Sequence, residues 1–253
     1  MPAAAAPALL GPPTAIPCLH RNPPLTPSAF YRNRLPLLAA VGALFAFLAV
    51  AAVAASSWLL LHWDEPIQRW VESSRNPSLD RFFSEVSGLA NTSAVLVLGP
   101  LFVALAWPRC RAVAIAIAVA TVARPLLEFT LKEVVSRDRP DYSRMVDGTG
   151  FSFPSGHVMA AVALWGLLPI LVGLYSRSRV LWWASVAFSG TMIVFVAASR
   201  VYLGVHWFSD AVAGLMLGSF FLLGVEAVLR YAHKRDGCGR DRAATTVAPS
   251  EPG

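Results

Sequence analysis

Charge is scarce in this chain: 14% of its 253 residues are Asp, Glu, Lys or Arg against 56% hydrophobic, and the mean hydropathy is +0.56. So few charges cannot cover the surface of a water-soluble domain of this size, so the composition excludes an ordinary soluble globule and implies a membrane protein. Cysteine is scarcer still. Cys18, Cys110 and Cys238 are odd in number and too far apart for a zinc-ligand spacing. That excludes a full disulfide framework and leaves free, structurally incidental thiols. Histidine forms no cluster with Cys, Asp or Glu at ligand spacing; His62, His157 and His206 lie far apart, and no metal or other cofactor is expected. Base outnumbers acid, 21 to 15, for a net charge of +6. No basic stripe interleaved with aromatics accompanies that surplus, so it does not point to nucleic acid. The arginines sit between apolar runs, where they report topology.

Residues 1–34 lack any acid and any helical or strand periodicity. Rich in Ala and Pro, with Arg21, Arg32 and Arg34, they read as a disordered tail. Six apolar stretches follow, at 35–61, 91–107, 112–131, 157–175, 180–198 and 207–229. Each is near the roughly 20 residues that cross a bilayer. The expected fold class is all-α, a polytopic membrane protein with six transmembrane helices over residues 35–230, followed by a disordered basic tail at 231–253. The short second stretch is preceded by residues 64–88, amphipathic with scattered charge, which predict interfacial helices. Residues 52–57 (AVAASS) imitate a signal cleavage site, but the 34 residues ahead of the stretch are too many for a usual signal, and an uncleaved anchor is expected.

Alternating the six stretches across the bilayer sorts their flanks into two sets. The N-terminal tail, the 109–111 turn with Arg109 and Arg111, the 177–179 turn with Arg177 and Arg179, and the segment from Arg230 onward share one face, each net positive. Residues 62–90 are net acidic and residues 132–155 balanced, on the other face. Lys and Arg in short loops mark the cytosolic side. Both termini and all three cysteines then lie in the reducing cytosol, with the plasma membrane as the expected location.

Three clusters break the apolar pattern, all at helix ends on the expected extracytoplasmic face: Lys132 with Arg139-Pro140; Pro154-Ser155-Gly156-His157; and Ser199-Arg200 with His206 and Asp210. Lys132, Arg139 and Arg200 place three cations where a membrane helix avoids them or lets them snorkel. Arginine forks match phosphoryl oxygens and lysine adds a point charge, so together they read as a phosphate clamp. Ser155-Gly156 begins a helix after Pro154, where unpaired N–H groups can face the same anion; alone, it would be a plain serine cap. His206 and Asp210, four apart, would share a helix face, letting the carboxylate fix one imidazole nitrogen and free the other to attack phosphorus; alone, they could equally be a helix-stabilising pair. His157 can supply the acid and later the base such a displacement needs, although a lone interfacial histidine is ordinarily only hydrogen-bonded. Arg124, Glu128 and Lys132, spaced by fours, are expected to pair along one helix.

Lys-x6-Arg-Pro at Lys132–Pro140, Pro-Ser-Gly-His at Pro154–His157 and Ser-Arg-x5-His-x3-Asp at Ser199–Asp210 resemble, without a substitution, the three motifs of the type-2 phosphatidic acid phosphatase family. The resemblance covers about residues 35–230. It implies that His206 is the nucleophile, Asp210 its orienting partner and His157 the acid and then base, with Lys132, Arg139, Ser155, Gly156 and Arg200 binding phosphate. Soluble acid phosphatases and vanadium-dependent haloperoxidases share the trio, but six apolar spans argue against those relatives and imply a substrate arriving through lipid. The expected activity is dephosphorylation, through a phosphohistidine, of a lipid phosphate or diphosphate: polyprenyl diphosphate, phosphatidylglycerophosphate or phosphatidic acid. Phosphoryl transfer to a lipid or sugar acceptor is an alternative that the motifs do not separate. A transporter or lipid-binding scaffold is more remote, since no internal repeat is evident. The sequence leaves oligomeric state open.

Overall fold

The computed structural model describes residues 60–235 except 109, 143 and 177, together with residues 41, 42, 45, 46 and 48. The expected N-terminal tail, residues 236–253 of the expected C-terminal tail, most of the first apolar stretch, and Arg109 and Arg177 lie outside the described residues. A π-helical turn, Leu60–Asp64, leads into α1 (Glu65–Ser73) and α2 (Pro77–Gly88). Five longer helices follow: α3 (Thr92–Ala106), α4 (Arg111–Val135), α5 (Gly156–Tyr175), α6 (Arg179–Tyr202) and α7 (Phe208–Arg235). Among the described residues there is no strand. The last five apolar stretches are thus helices within a few residues of their expected bounds, except that α7 runs past residue 230 to Arg235.

Side-chain caps set several helix starts. Asn76 Oδ1 accepts the Leu79 N–H at 3.0 Å with Pro77 at the first helical position, Asn91 Oδ1 accepts from Ala94 at 2.8 Å, and Ser178 Oγ accepts from Leu181 at 3.1 Å. Each satisfies a helical donor that has no partner within its own helix. The four helices α4 to α7 are long and apolar enough to cross a bilayer. With 15 residues, α3 reaches only about 22 Å. It would count as part of a fifth span only together with α2, across a bend of 40°. The segments α1 and α2 are amphipathic as expected: in α1, Gln68 and Val71 are buried while Trp70 is exposed.

Helix α5 is apolar all round and is the central one, with 56% of its span buried against 17–28% for the other three. It packs on α6 and α7. Lipid supplies no hydrophobic drive for helix pairing, so close approach depends on small residues. Here Gly214 and Gly218 of α7 face α5: a Cβ at Gly214 would lie 2.9 Å from the Ser155 carbonyl oxygen, and one at Gly218 2.9 Å from Val162 Cβ. The outward faces carry Val119, Leu126 and Phe129 on α4 and Val180, Trp183 and Val194 on α6, all 61–80% exposed. So much open apolar surface calls for an acyl-chain environment.

Two apolar clusters brace the ends of the bundle. Val158, Val201, Tyr202, Leu203, Val205 and Ala211 pack where α5, α6 and α7 meet beneath the polar residues described next. At the opposite end Val113, Ile117, Leu167, Leu171 and Leu229 enclose the buried thiol of Cys110.

Candidate active site

The connection from α6 to α7 is five residues long and turns through Gly204, whose φ of 73° is left-handed and whose N–H donates to the Val201 carbonyl at 3.1 Å. Glycine accepts that conformation without strain. His206 lies in this turn, 2% exposed, and not on α7. The expectation that His206 and Asp210 share a helix face is corrected here: α7 begins at Phe208, so only Asp210 is helical. The two still meet, because Asp210 Oδ2 reaches back to accept the Trp207 N–H at 2.9 Å, closing the first turn as a capping-box carboxylate does. That oxygen stands 3.6 Å from His206 Nδ1, beyond hydrogen-bond length, and Nδ1 has no hydrogen-bond partner among the described residues. On its other edge, His206 Nε2 is 3.5 Å from an Arg139 terminal nitrogen. Burial lowers the His206 pKa from its ordinary value, and the Asp210 carboxylate opposes the shift. A neutral ring with its proton on Nδ1, toward Asp210, leaves the Nε2 lone pair toward Arg139.

Arg139 is more constrained than a free clamp. Its guanidinium donates to the carbonyls of Gly150 at 2.9 Å, Val205 at 2.7 Å, Thr149 at 2.8 Å and Phe151 at 3.2 Å. It therefore pins the 149–151 loop to the His206 turn and offers the site only the edge facing the imidazole. A Cβ at Gly148 would come within 3.1 Å of Arg139, so glycine leaves room for that side chain. Burial lowers the Arg139 pKa from its ordinary value, with Asp210 opposing.

At the start of α5, Ser155 is fully buried, its N–H donates to the Asp210 carbonyl at 3.2 Å, and its hydroxyl has no partner among the described residues. Gly156 lies against Glu128, whose carboxylate leaves no space for a Cβ. As the spacing by fours implies, Glu128 accepts from Arg124 at 2.8 Å and pairs with Lys132 at 3.1 Å, and Arg124 also donates to the Gly156 carbonyl at 3.1 Å. Lys132 is thus tied to Glu128. Arg200, 6% exposed at the end of α6, donates to the Ser87 hydroxyl of α2. His157, in the first turn of α5, lies within electrostatic reach of Arg200, His206, Lys132 and Arg124. All eight residues singled out from the sequence therefore gather at one end of the bundle.

Asp64, Arg137 and Ser209 join them without having been anticipated. Arg137 donates to Asp210 Oδ1 at 2.6 Å, Ser209 Oγ at 2.7 Å and Asp64 Oδ2 at 2.7 Å. Asp64 also accepts the Ser209 N–H at 2.9 Å and its hydroxyl at 2.7 Å. Buried carboxylates are tolerated only when paired and hydrogen-bonded, and one guanidinium serves both here. The left-handed residue Ser136, φ 48°, ends α4 and turns the chain so that Arg137 points back to the bundle. Asp64 contacts a residue 145 positions away, and no local spacing could reveal that; the one signal was an acid placed just after an apolar stretch.

Among the described residues no group of three or more His, Cys, Asp or Glu is arranged to hold a metal ion. Fold and site together define an all-helical integral membrane protein with a histidine, arginine and carboxylate centre at its helix ends. The profile of the PAP2 superfamily matches residues 110–234. The chain is 30% identical over 193 residues to phosphatidylglycerophosphatase B of Bacillus subtilis, covering 71% of this chain and 91% of that protein. It is also 30% identical to an undecaprenyl-diphosphatase of Sulfolobus acidocaldarius, over 46% of this chain and 55% of the relative. Among solved structures, the transmembrane PAP2-type phosphatidylglycerolphosphate phosphatase from Bacillus subtilis superposes with a TM-score of 0.70 at 26% identity, covering 76% of this chain and 96% of that one. Aquifex aeolicus LpxE shares the fold at a TM-score of 0.51 and 21% identity, over 66% of this chain and 95% of that one. The chain belongs to the PAP2 superfamily.

Proposed function

We propose that this chain hydrolyses a lipid phosphate or diphosphate through a phosphohistidine on His206, at the extracytoplasmic face of a six-helix membrane domain. Its relatives in the superfamily, a phosphatidylglycerophosphatase and an undecaprenyl-diphosphatase, support a lipid phosphate phosphatase. The observation that carries the mechanism is the two-sided setting of one buried imidazole, with Asp210 3.6 Å from Nδ1 and Arg139 3.5 Å from Nε2.

In the first step the Nε2 lone pair attacks phosphorus, an N–P bond forms, and the P–O bond to the lipid breaks. His157 gives a proton to the departing oxygen. Arg139, Arg200, Lys132 and the N–H groups at the start of α5 stabilise the charge on the remaining phosphoryl oxygens, while Asp210 stabilises the cationic phosphoimidazole. In the second step His157, now a base, takes a proton from water, whose oxygen attacks phosphorus. The N–P bond breaks, phosphate leaves, and both histidines return to their initial states. Phosphatidylglycerophosphate and a polyprenyl diphosphate are the first substrates to try, being those named in the relatives, with phosphatidic acid third.

The charge pattern supports the orientation. Arg111 and Arg179 begin α4 and α6, while Lys132 and Arg200 lie near their far ends, so the arginine-bearing turns and the site fall on opposite faces. The deciding experiment compares purified wild type with H206A on the three lipids. Phosphate release is expected to vanish for all of them in H206A, with trapped acid-labile phosphoenzyme only in the wild type; turnover by H206A at the wild-type rate would overturn the mechanism.

A further inference from the structure

Asp210 has one task in this mechanism, to face Nδ1 of His206, yet both its oxygens are engaged elsewhere: Oδ1 by Arg137 at 2.6 Å and Oδ2 by the Trp207 N–H at 2.9 Å. What fixes Asp210 therefore lies outside the three motifs' own residues. Resting on the His206 and Asp210 roles just proposed, we infer that Asp64 and Arg137 are positioning residues for the reaction: Arg137, anchored by Asp64, holds the Asp210 carboxylate aimed at His206.

Two physical arguments lead there. The first is charge. Asp64 and Asp210 have fully buried side chains and share one guanidinium that is 13% exposed, so the trio carries a single negative charge. Without the cation, two buried carboxylates would lose the charge partner they share, which is costly out of water. Arg139 acts on Asp210 from the loop after α4 and His206 from the α6–α7 turn, while α5 contributes the Ser155 N–H to the Asp210 carbonyl. Arg139 already spends its donors on four carbonyls, so it does not replace the direct Arg137 contact.

The second argument is geometric. Trp207 precedes α7 and has no side-chain oxygen to cap it, and Asp64 fills that place by accepting the Ser209 N–H at 2.9 Å. The Arg137 guanidinium also lies 5.6 Å from the centre of the Trp207 ring. The first turn of α7, which carries Asp210, is therefore held from the segment that ends the first apolar stretch and from the loop after α4. A residue acting this way alters turnover and leaves substrate affinity largely unchanged.

The test uses the full-length protein in detergent, assaying the lipid phosphate turned over fastest by wild type, with D64N, R137K, R137M, D64N/R137M and H206A. Circular dichroism and thermal melting establish folding for each variant. In R137M, kcat is expected to fall on the order of 100-fold with KM little changed, as for a misaligned reacting group. R137K should retain part of the rate. D64N alone should lose roughly 10-fold. The decisive sign is in the double variant: D64N/R137M should turn over faster than R137M, because Asp210 then has no second buried carboxylate beside Arg137's place to oppose it. Wild-type kcat in R137M, a loss confined to KM, or a double variant no faster than R137M would each overturn the proposal. If R137M does not fold, D64N and R137K decide, and unchanged kcat in both overturns it. An active H206A would remove the phosphohistidine and this proposal together, whereas an inactive H206A beside an unimpaired R137M removes this proposal alone.

Discussion

The carboxylate of Glu128 lies directly against Gly156, leaving no room for a Cβ between α4 and the start of α5. Glu128 cannot readily swing away, because Arg124 holds one oxygen at 2.8 Å and Lys132 the other at 3.1 Å. An alanine at 156 must push the α5 N-terminus outward, and with it the N–H groups proposed to meet phosphate. G156A is expected to lower kcat/KM on the order of 100-fold. G190A, on α6 where an added Cβ meets nothing, should retain full activity. Equal rates for the two variants would show that the close approach has no part in turnover.

Protonation of His206, the proposed nucleophile, sets a pH dependence. Burial makes His206 hold its proton less tightly than a free imidazole, whose pKa is about 6.5. The neutral ring is the reactive form. The reactive form of His206 should therefore be fully present above the ordinary value and be lost as pH falls through the lowered one. The acid limb of kcat/KM, corrected for the substrate's own ionisation, is expected below pH 6.5. A limb at or above that value would assign the titration to another group.

The glycine face of α7 supplies a prediction about stability. In G218V a Cβ 2.9 Å from Val162 Cβ and 3.3 Å from Met159 Cα must force α5 and α7 apart. Overpacking of this kind costs about 1–3 kcal/mol. The thermal midpoint in detergent should drop, while G224A on the same helix, where a Cβ meets nothing, should not shift it. Coincident melting curves would mean that the helices are not in close contact there.

Topology can be read with engineered thiols. Cys110 is 4% exposed and so a poor reporter from either side. In a background with the native cysteines changed to serine, D141C, in the exposed loop beside Arg139, should react with an impermeant thiol reagent in intact cells. R179C should react only after the membrane is opened. The reverse pattern would invert the proposed orientation.

The sequence made the helices legible because their apolar runs are long and bounded by Asn, Ser, Pro and Arg, residues with strong positional meaning at helix ends. The eight motif residues were legible for a different reason, since fixed spacings bring helix ends together whatever the lipid-facing side chains are. Two things escaped. The four-residue spacing of His206 and Asp210 suggested a shared helix face, whereas Gly204 and the capping carboxylate make His206 part of the preceding turn. Asp64 and Arg137 escaped because their partnership is purely tertiary: 73 residues separate them, and Arg137 sits in the unspecified stretch between Lys132 and Arg139. The backbone commitments of Arg139, four carbonyls from two loops, were equally invisible to spacing.

Arg139 and Arg200 touch carbonyls, a serine hydroxyl and an imidazole, but no carboxylate contact is present for either among the described residues. The other three cations are matched: Arg124 and Lys132 share Glu128, and Arg137 bridges Asp64 and Asp210. Five bases against three acids leave an excess of two, the charge of a phosphate monoester dianion. On the proposed mechanism the resting site is in this sense an unfinished salt, which the head group of a lipid phosphate would complete. Inorganic phosphate, the product, carries nearly the same charge and should bind as a competitor, so on the proposed orientation release of the spent anion would be a point at which the outside concentration of phosphate governs the enzyme's pace.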